Sequence, residues 1–159
     1  MSAQNSTIKI LVADDSPEEH TLLAHGLRAI ESMKLIGFVH DGFEAVCYLR
    51  GSGQFKDREL FPFPDLLLLD FNMPRLNGMD VLRFLRRRTR RPRVILWSNT
   101  LDQLNEPLAL RLGADMVCRK PSNKSELMKI MDSIERNIFA VEKFVLPEAS
   151  PDFWHGHVK

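Results

Sequence analysis

The sequence predicts a doubly wound α/β fold, in which a five-stranded parallel sheet has helices on both faces. Residues 66–69 are four consecutive leucines between Pro64 and Pro74, a run typical of a strand buried on both faces. Similar apolar runs recur, and each is followed by a stretch with helical spacing. Polar residues end the runs, at the sheet edge where such folds bind ligands.

Each strand is predicted from a short apolar run that stops at polar residues or a turn. The first helix follows Ser16-Pro17, an N-cap serine with proline at the first helical position and Glu19 three residues after the cap. The second occupies residues 43–50, and Gly51 caps it. The strand candidates are residues 8–13, 35–39, 66–69, 94–97 and 116–118.

The later helices are predicted from apolar spacing and helix-ending residues. Pro107 would break a helix that started near Leu101, so the fourth helix is expected after Asn105, and Gly113 ends it. A capping box over residues 123–126 begins the fifth. The apolar positions of the third helix are Met79, Leu82, Phe84 and Leu85, and those of the fifth are Leu127, Ile130, Met131, Ile134, Ile138 and Val141.

Composition excludes several classes of protein. The 159 residues suit one domain plus a tail, and we expect an N-terminal extension over 1–7, a domain over 8–142 and a tail over 143–159. A net charge of +1 gives no general reason to expect nucleic acid or a membrane as partner. Cys47 and Cys118 alone cannot form a disulfide framework or a four-cysteine zinc site. No signal peptide or membrane span is evident, so we expect a cytoplasmic protein.

Chemically distinctive residues follow four of the predicted strands. They are Asp14 and Asp15 after the first, Asp70 after the third, Ser98 after the fourth and Lys120 after the fifth. Three carboxylates at one edge repel each other, so either their pKa values rise or a cation lies among them. Oxygen ligands suit Mg²⁺, while a lysine and a hydroxyl suit a phosphoryl group. This chemistry favours attack by a carboxylate on phosphorus, giving an aspartyl phosphate.

The motifs together resemble a two-component response-regulator receiver domain over about residues 8–140. They are Asp14-Asp15, Asp70-Phe71-Asn72-Met73-Pro74 with Asn77-Gly78, Ser98, Gly113-Ala114-Asp115 and Lys120-Pro121. This resemblance implies the flavodoxin-like strand order 2-1-3-4-5. The long loop over 51–64 is further similar to the stand-alone receivers that partner bacterial phytochrome kinases.

The resemblance implies roles for the site residues. Asp70 would accept phosphate from a kinase histidine, while Asp14, Asp15, Asp70 and the backbone carbonyl of Asn72 would hold Mg²⁺. Ser98 and Lys120 would each contact a phosphoryl oxygen. Lys120-Pro121 would have the cis peptide bond usual in the family. The phosphate would then pull the Ser98 loop inward and change the surface formed by the fourth helix, fifth strand and fifth helix.

The chain departs from the family pattern at three positions. Val117 replaces the usual aromatic residue three positions before the lysine, so an aromatic switch is not expected. Asn99 is larger than the small residue that usually follows the Ser or Thr, which bears on phosphoryl access. Pro107 suggests a shortened fourth helix.

Three functions compete. The first is a stand-alone receiver that a histidine kinase phosphorylates, with a phytochrome-type kinase as the candidate. It signals by contact with an unidentified protein and is expected to have no DNA-binding output domain. We expect it to form a homodimer through its fourth helix, fifth strand and fifth helix. A phosphorylation-independent binding module is the alternative. An aspartyl-phosphate phosphatase or phosphotransferase is disfavoured, because such enzymes commonly need an acid at the position of Asn72.

Other conspicuous residues are interpreted more simply. The arginines of the basic run over 83–93 suit a helix C-terminus and solvent, with an acidic protein partner as the competing interpretation. His155 and His157 lack enough partners for a metal site. Phe153 and Trp154 are as consistent with docking on a protein surface as with a free tail. Trp97 is expected in the core.

Overall fold

The computed structural model describes residues 6–140, and its five strands form one parallel sheet in the order β2-β1-β3-β4-β5. This order and the helices on both faces confirm the predicted fold class. The predicted tail lies outside the described residues, and so does Val141, so the domain boundaries stay predictions. The strands are β1 (Ile8–Ala13), β2 (Met33–Val39), β3 (Leu66–Asp70), β4 (Arg93–Ser98) and β5 (Met116–Arg119).

The helices begin close to the predicted residues. Helix α4 starts after Asn105 with Pro107 in its first turn, and its six residues confirm that it is short. Helix α5 continues into a π-helical turn over Glu135–Phe139, which the regular spacing of its apolar residues did not predict. No helix within residues 6–140 is long and apolar enough to span a bilayer. The helices are α1 (Pro17–Leu27), α2 (Gly42–Arg50), α3 (Gly78–Arg86), α4 (Glu106–Arg111) and α5 (Lys124–Ile134).

The capping contacts differ from the prediction at α5. The Asn123 side chain accepts a hydrogen bond from the Glu126 N–H, as expected for an N-cap residue. The Glu126 carboxylate, however, accepts from the N–H and the hydroxyl of Ser122, one residue earlier than a capping box requires. A complete capping box instead begins α3, where Asn77 and Asp80 bond each other's backbone N–H.

The sheet separates two apolar layers. One layer joins β-strand residues such as Leu67, Leu69 and Leu96 to α2, α3 and α4, and the other joins Leu66, Leu68 and Trp97 to α1 and α5. The four leucines of β3 are fully buried, which confirms the prediction of a strand covered on both faces. Trp97 is also fully buried, as predicted. Its indole N–H has no hydrogen-bond partner among the described residues.

The loop between α2 and β3 is held by one arginine. Arg58 donates to the backbone carbonyls of Tyr48 (2.9 Å), Leu49 (3.0 Å) and Phe61 (3.2 Å). Two of these carbonyls, those of Tyr48 and Leu49, lie in the last turn of α2, where no further helical turn supplies N–H donors. The Tyr48 hydroxyl donates to Pro62, and Tyr48, Phe55 and Phe61 pack as an aromatic cluster. The long loop therefore has a fixed shape and its own small core.

The basic run lies at the edge of the sheet opposite the strand-ending acids, and much of it has contacts within the domain. Most of these arginines therefore have packing or charge partners inside the domain. Their presence does not require an acidic protein partner. Arg83 pairs with Asp80, Arg93 with Asp115, Arg91 donates to the Gly113 carbonyl, and Arg88 and Arg90 stack on Phe84 and Phe63.

Two glycines allow the loop after β3 to pack closely. A Cβ atom on Gly78 would lie 2.7 Å from the Asp70 carbonyl oxygen, and one on Gly42 would overlap the Leu76 carbonyl. Both neighbours are backbone atoms, which cannot move aside as a flexible side chain can. The loop that carries Asn72 and Arg75 is thus fixed between the end of β3 and the start of α2.

We expect Gly42→Ala to lower the free energy of unfolding by about 1–3 kcal/mol, because its methyl group would displace the Leu76 backbone. Gly37→Ala is the matched control, since its Cβ would make only an ordinary contact, 3.9 Å from a Leu11 methyl. Urea unfolding of both variants checks this. Equal stability of the two variants would contradict the close packing at Gly42.

Candidate functional site

A buried ammonium group lies between two buried carboxylates at the carboxyl edge of the sheet. Lys120 Nζ is 2.8 Å from Asp14 Oδ2 and 3.1 Å from Asp70 Oδ2. Asp14 is fully buried, Asp70 is 4% exposed and Lys120 is 6% exposed. The ends of β1 and β3 and the residue after β5 thus bring together three of the residues singled out in the sequence.

Asp15 completes an acidic group that fits a divalent cation. Carboxylate oxygens of Asp14, Asp15 and Asp70 lie within 4.8 Å of one another, and Asp15 faces solvent while the other two are buried. An exposed acid beside buried ones gives a hard ion both protein oxygens and access to water, as Mg²⁺ requires. Asn72 contributes its backbone N–H, which donates to Asp70 Oδ1 at 3.1 Å. A role for its carbonyl stays a prediction.

Ser98 lies at the same edge but its hydroxyl is engaged within its own loop. The hydroxyl accepts from the Thr100 N–H at 3.1 Å and donates to the Thr100 carbonyl at 3.3 Å. The residue is fully buried. To donate to a phosphoryl oxygen on Asp70, the hydroxyl would have to release its bond to the Thr100 carbonyl, so the predicted role of Ser98 needs a different hydroxyl orientation from the one seen here.

Glu19 is a site residue that sequence reasoning missed. Its position three residues after Ser16 predicted a capping box, but Glu19 Oε1 lies 3.5 Å from Lys120 Nζ. Ser16 still accepts a hydrogen bond from the Glu19 N–H, whereas the Ser16 N–H donates to Asp14 Oδ1. The backbone donor that Glu19 would have capped is therefore taken by a site acid. The feature of the sequence that could have indicated this role is that Glu19 follows the Asp14-Asp15 pair by about one helical turn.

His20 was also missed. Its Nε2 atom donates to the Asp14 backbone carbonyl at 2.6 Å, and its ring stacks on Phe38 with ring centroids 4.2 Å apart. This contact fixes the backbone at Asp14 from the first turn of α1. His20 is therefore a support for the acid and does not touch the carboxylate.

The charges of the site are unevenly matched, because one lysine serves three carboxylates. Burial raises the pKa of Asp70 to about 6, although the neighbouring Lys120 charge lowers it, and Asp14 raises it further. Burial alone would lower the pKa of Lys120, but hydrogen bonds and charges from Asp14 and Asp70 outweigh it and raise the pKa. Burial likewise raises the pKa of Glu19 in spite of Lys120.

The peptide bond between Lys120 and Pro121 is trans, so the expectation of a cis bond is wrong. Proline permits both isomers, with trans favoured by about 0.5–1 kcal/mol. Lys120 reaches both carboxylates with the bond in the trans form. The sequence motif alone did not determine the isomer.

Comparisons with known proteins converge on one family. Residues 10–132 match the model of the response regulator receiver domain. The transcriptional regulatory protein CpxR of Escherichia coli strain K12 is 38% identical over 128 residues, which is 80% of this chain and 49% of CpxR. The chain thus spans about half the length of this curated relative.

Two solved structures match this chain over nearly their whole length. The phosphorylated cyanobacterial phytochrome response regulator RcpA is 26% identical with a TM-score of 0.71, and the match covers 86% of this chain and 96% of RcpA. Response regulator RPA3017, from red light signalling of R. palustris, is 32% identical with a TM-score of 0.71, covering 81% and 92%.

We expect Asp70→Asn to raise the free energy of unfolding by about 2 kcal/mol near pH 8 without divalent cations. The carboxyl's folded pKa of about 6 exceeds its ordinary 3.8, so the folded state binds the proton more tightly and loses stability as pH rises between these values. The gain should therefore shrink near pH 5. Urea unfolding at both pH values measures it.

The exposed Asp132→Asn is the control for this measurement. If Asp70→Asn proves less stable than wild type near pH 8, pairing with Lys120 outweighs burial and the account of the Asp70 pKa is wrong.

Proposed function

The chain belongs to the response regulator receiver family, and on that basis we propose that it is a phosphorylatable switch whose Asp70 accepts a phosphoryl group from a histidine kinase. The supporting observation is the buried Lys120 between Asp14 and Asp70, beside an acidic group that fits Mg²⁺. A hydroxyl from Ser98 lies on the next strand. The proposed function assigns a role to each of these groups.

The proposed transfer needs an ionised Asp70 carboxylate, and it needs the negative charge of the phosphoryl oxygens to be neutralised. An Asp70 oxygen forms a bond to phosphorus as the phosphorus–nitrogen bond of the kinase phosphohistidine breaks, and the released imidazole nitrogen takes a proton from solvent. Bound Mg²⁺ would neutralise charge on the phosphoryl oxygens. Lys120, already 3.1 Å from Asp70, pairs with a phosphoryl oxygen, and the Ser98 hydroxyl donates to another in place of the Thr100 carbonyl.

Asp14 and Asp15 would hold the cation together with Asp70 and the Asn72 carbonyl. Since Asp70 has a pKa of about 6 without a cation, a positive ion beside it favours the ionised, nucleophilic form. His20 holds the Asp14 backbone, and Gly78 allows the Asn72 loop to lie against the end of β3. The resting arrangement is thus prepared for an ion and a phosphoryl group.

We further propose that the protein works as a stand-alone receiver with a phytochrome-type kinase and signals by protein contact. The support is that RcpA and RPA3017 match this chain over 96% and 92% of their lengths. The surface formed by α4, β5 and α5 is the candidate output and dimer face. Leu110 on α4 is 45% exposed, and Val117 in β5 offers an aliphatic group where an aromatic switch is usual.

We expect wild-type protein, incubated with Mg²⁺ and a small acyl phosphate, to gain the mass of one phosphoryl group. Asp70→Asn should gain none, because an amide cannot act as the nucleophile. Intact-mass spectrometry measures both, with Asp65→Asn as a carboxylate control on the same sheet. An adduct in both proteins or in neither would refute phosphorylation at Asp70, while rapid multiple turnover would favour a phosphatase.

We expect Asp15→Asn to weaken Mg²⁺ binding by about tenfold or more, because it removes one of few carboxylate ligands. Asp15 is exposed, so the stability without metal should stay within about 0.5 kcal/mol of wild type. Isothermal titration calorimetry measures the affinity, and the exposed Glu31→Gln serves as the charge-matched control. Equal Mg²⁺ affinity in the two variants would remove Asp15 from the metal site.

A further inference from the structure

We propose that Glu19 is a positioning residue that competes with the incoming phosphoryl group for Lys120 and so restrains phosphorylation of Asp70. This inference rests on the proposed function and concerns the same site. Glu19 Oε1 lies 3.5 Å from Lys120 Nζ, and the Glu19 side chain is 16% exposed. Its other carboxylate oxygen, Oε2, is buried from solvent.

Local geometry directs Glu19 into the site. Pro17 starts α1 immediately after Asp15 and Ser16, so the first helical turn begins beside the acids. The Ser16 N–H, which a capping Glu19 would have bonded, donates to Asp14 Oδ1 at 2.9 Å. The Glu19 carboxylate therefore does not cap the helix, and it forms an ion pair with Lys120 instead.

The competition follows from how Lys120 is shared. In the resting site its ammonium group contacts Asp14 at 2.8 Å, Asp70 at 3.1 Å and Glu19 at 3.5 Å. With a cation bound, Asp14 and Asp70 share their negative charge with that ion. Glu19 is then the carboxylate that still draws Lys120, and it draws it away from a phosphoryl oxygen on Asp70.

Glu18 provides a matched control. It precedes Glu19 in the same first turn of α1, carries the same charge and benefits from the same helix dipole, but it is exposed. Glu18→Gln and Glu19→Gln therefore make the same change in net charge and in side-chain shape. A difference between the two variants reports the position of the Glu19 carboxylate.

The test compares acyl-phosphate labelling of full-length wild type, Glu18→Gln and Glu19→Gln at saturating Mg²⁺, with intact mass as the readout. We expect Glu19→Gln to be labelled about fivefold faster at low donor concentration, with little change at saturating donor. Mg²⁺ affinity, measured by calorimetry without a donor, should fall about threefold in Glu19→Gln, because Lys120 then rests wholly on Asp14 and Asp70. Glu18→Gln should resemble wild type in both measurements.

Faster labelling together with weaker Mg²⁺ binding would indicate a positioning role for Glu19. Damage to the fold would instead slow the labelling and weaken Mg²⁺ binding. A double-mutant cycle tests the route: in a Lys120→Gln background the effect of Glu19→Gln on labelling should largely disappear. A full effect in that background, or equal labelling of the Glu18 and Glu19 variants, would overturn the inference. If wild type forms no adduct at Asp70, the proposed function falls as well, whereas a normal wild-type adduct with unaltered Glu19→Gln refutes only the role of Glu19.

Discussion

The site depends on a single ammonium group that is shared among three carboxylates. Lys120 is buried between Asp14 and Asp70 and also contacts Glu19, so no carboxylate has a cation to itself. Burial raises the pKa of Asp70 to about 6 even though a lysine touches its carboxylate. A site with surplus negative charge attracts a divalent cation, and an ammonium group with several partners can exchange one of them for a phosphoryl oxygen.

The sheet order makes this arrangement possible. Strands β1 and β3 are neighbours, so Asp14 and Asp70 lie side by side at the ends of adjacent strands. Lys120 follows β5, which lies on the far side of β4, and its long side chain reaches back to both acids. The core on both faces holds these strand ends rigidly, since Leu66 to Leu69 are fully buried. Glycine at positions 42 and 78 then lets the loop after β3 lie against its neighbours. The strand order thus brings the site residues together, and local backbone contacts fix the loop that lies beside them.

The fold and four of the site residues could be predicted because each depends on local signals. Apolar runs define the strands, and Asp14, Asp15, Asp70 and Lys120 lie at or just after their ends. Glu19 could not be assigned in this way, because its local pattern is equally that of a capping residue and its contact with Lys120 is made across the fold. The capping contacts of Glu126 illustrate the same ambiguity.

Other features escape sequence reasoning for energetic reasons. The isomers of the Lys120–Pro121 bond differ by about 1 kcal/mol or less, so a motif cannot decide between them. The hydroxyl of Ser98 has partners available within its own loop as well as in the site, and the choice depends on the state of the site. The burial of Trp97, by contrast, follows from its position in an apolar strand that is covered on both faces.

Trp97 gives the domain an internal optical probe. It pairs directly with Asp70 across β3 and β4, its ring is fully buried, and its N–H has no hydrogen-bond partner within residues 6–140. Indole emission shifts with the local electric field, and an indole shielded from water and free of hydrogen bonds responds mainly to nearby charges. Changes in charge at Asp70 should therefore appear in the fluorescence of the unlabelled protein, one strand away from the reacting atom.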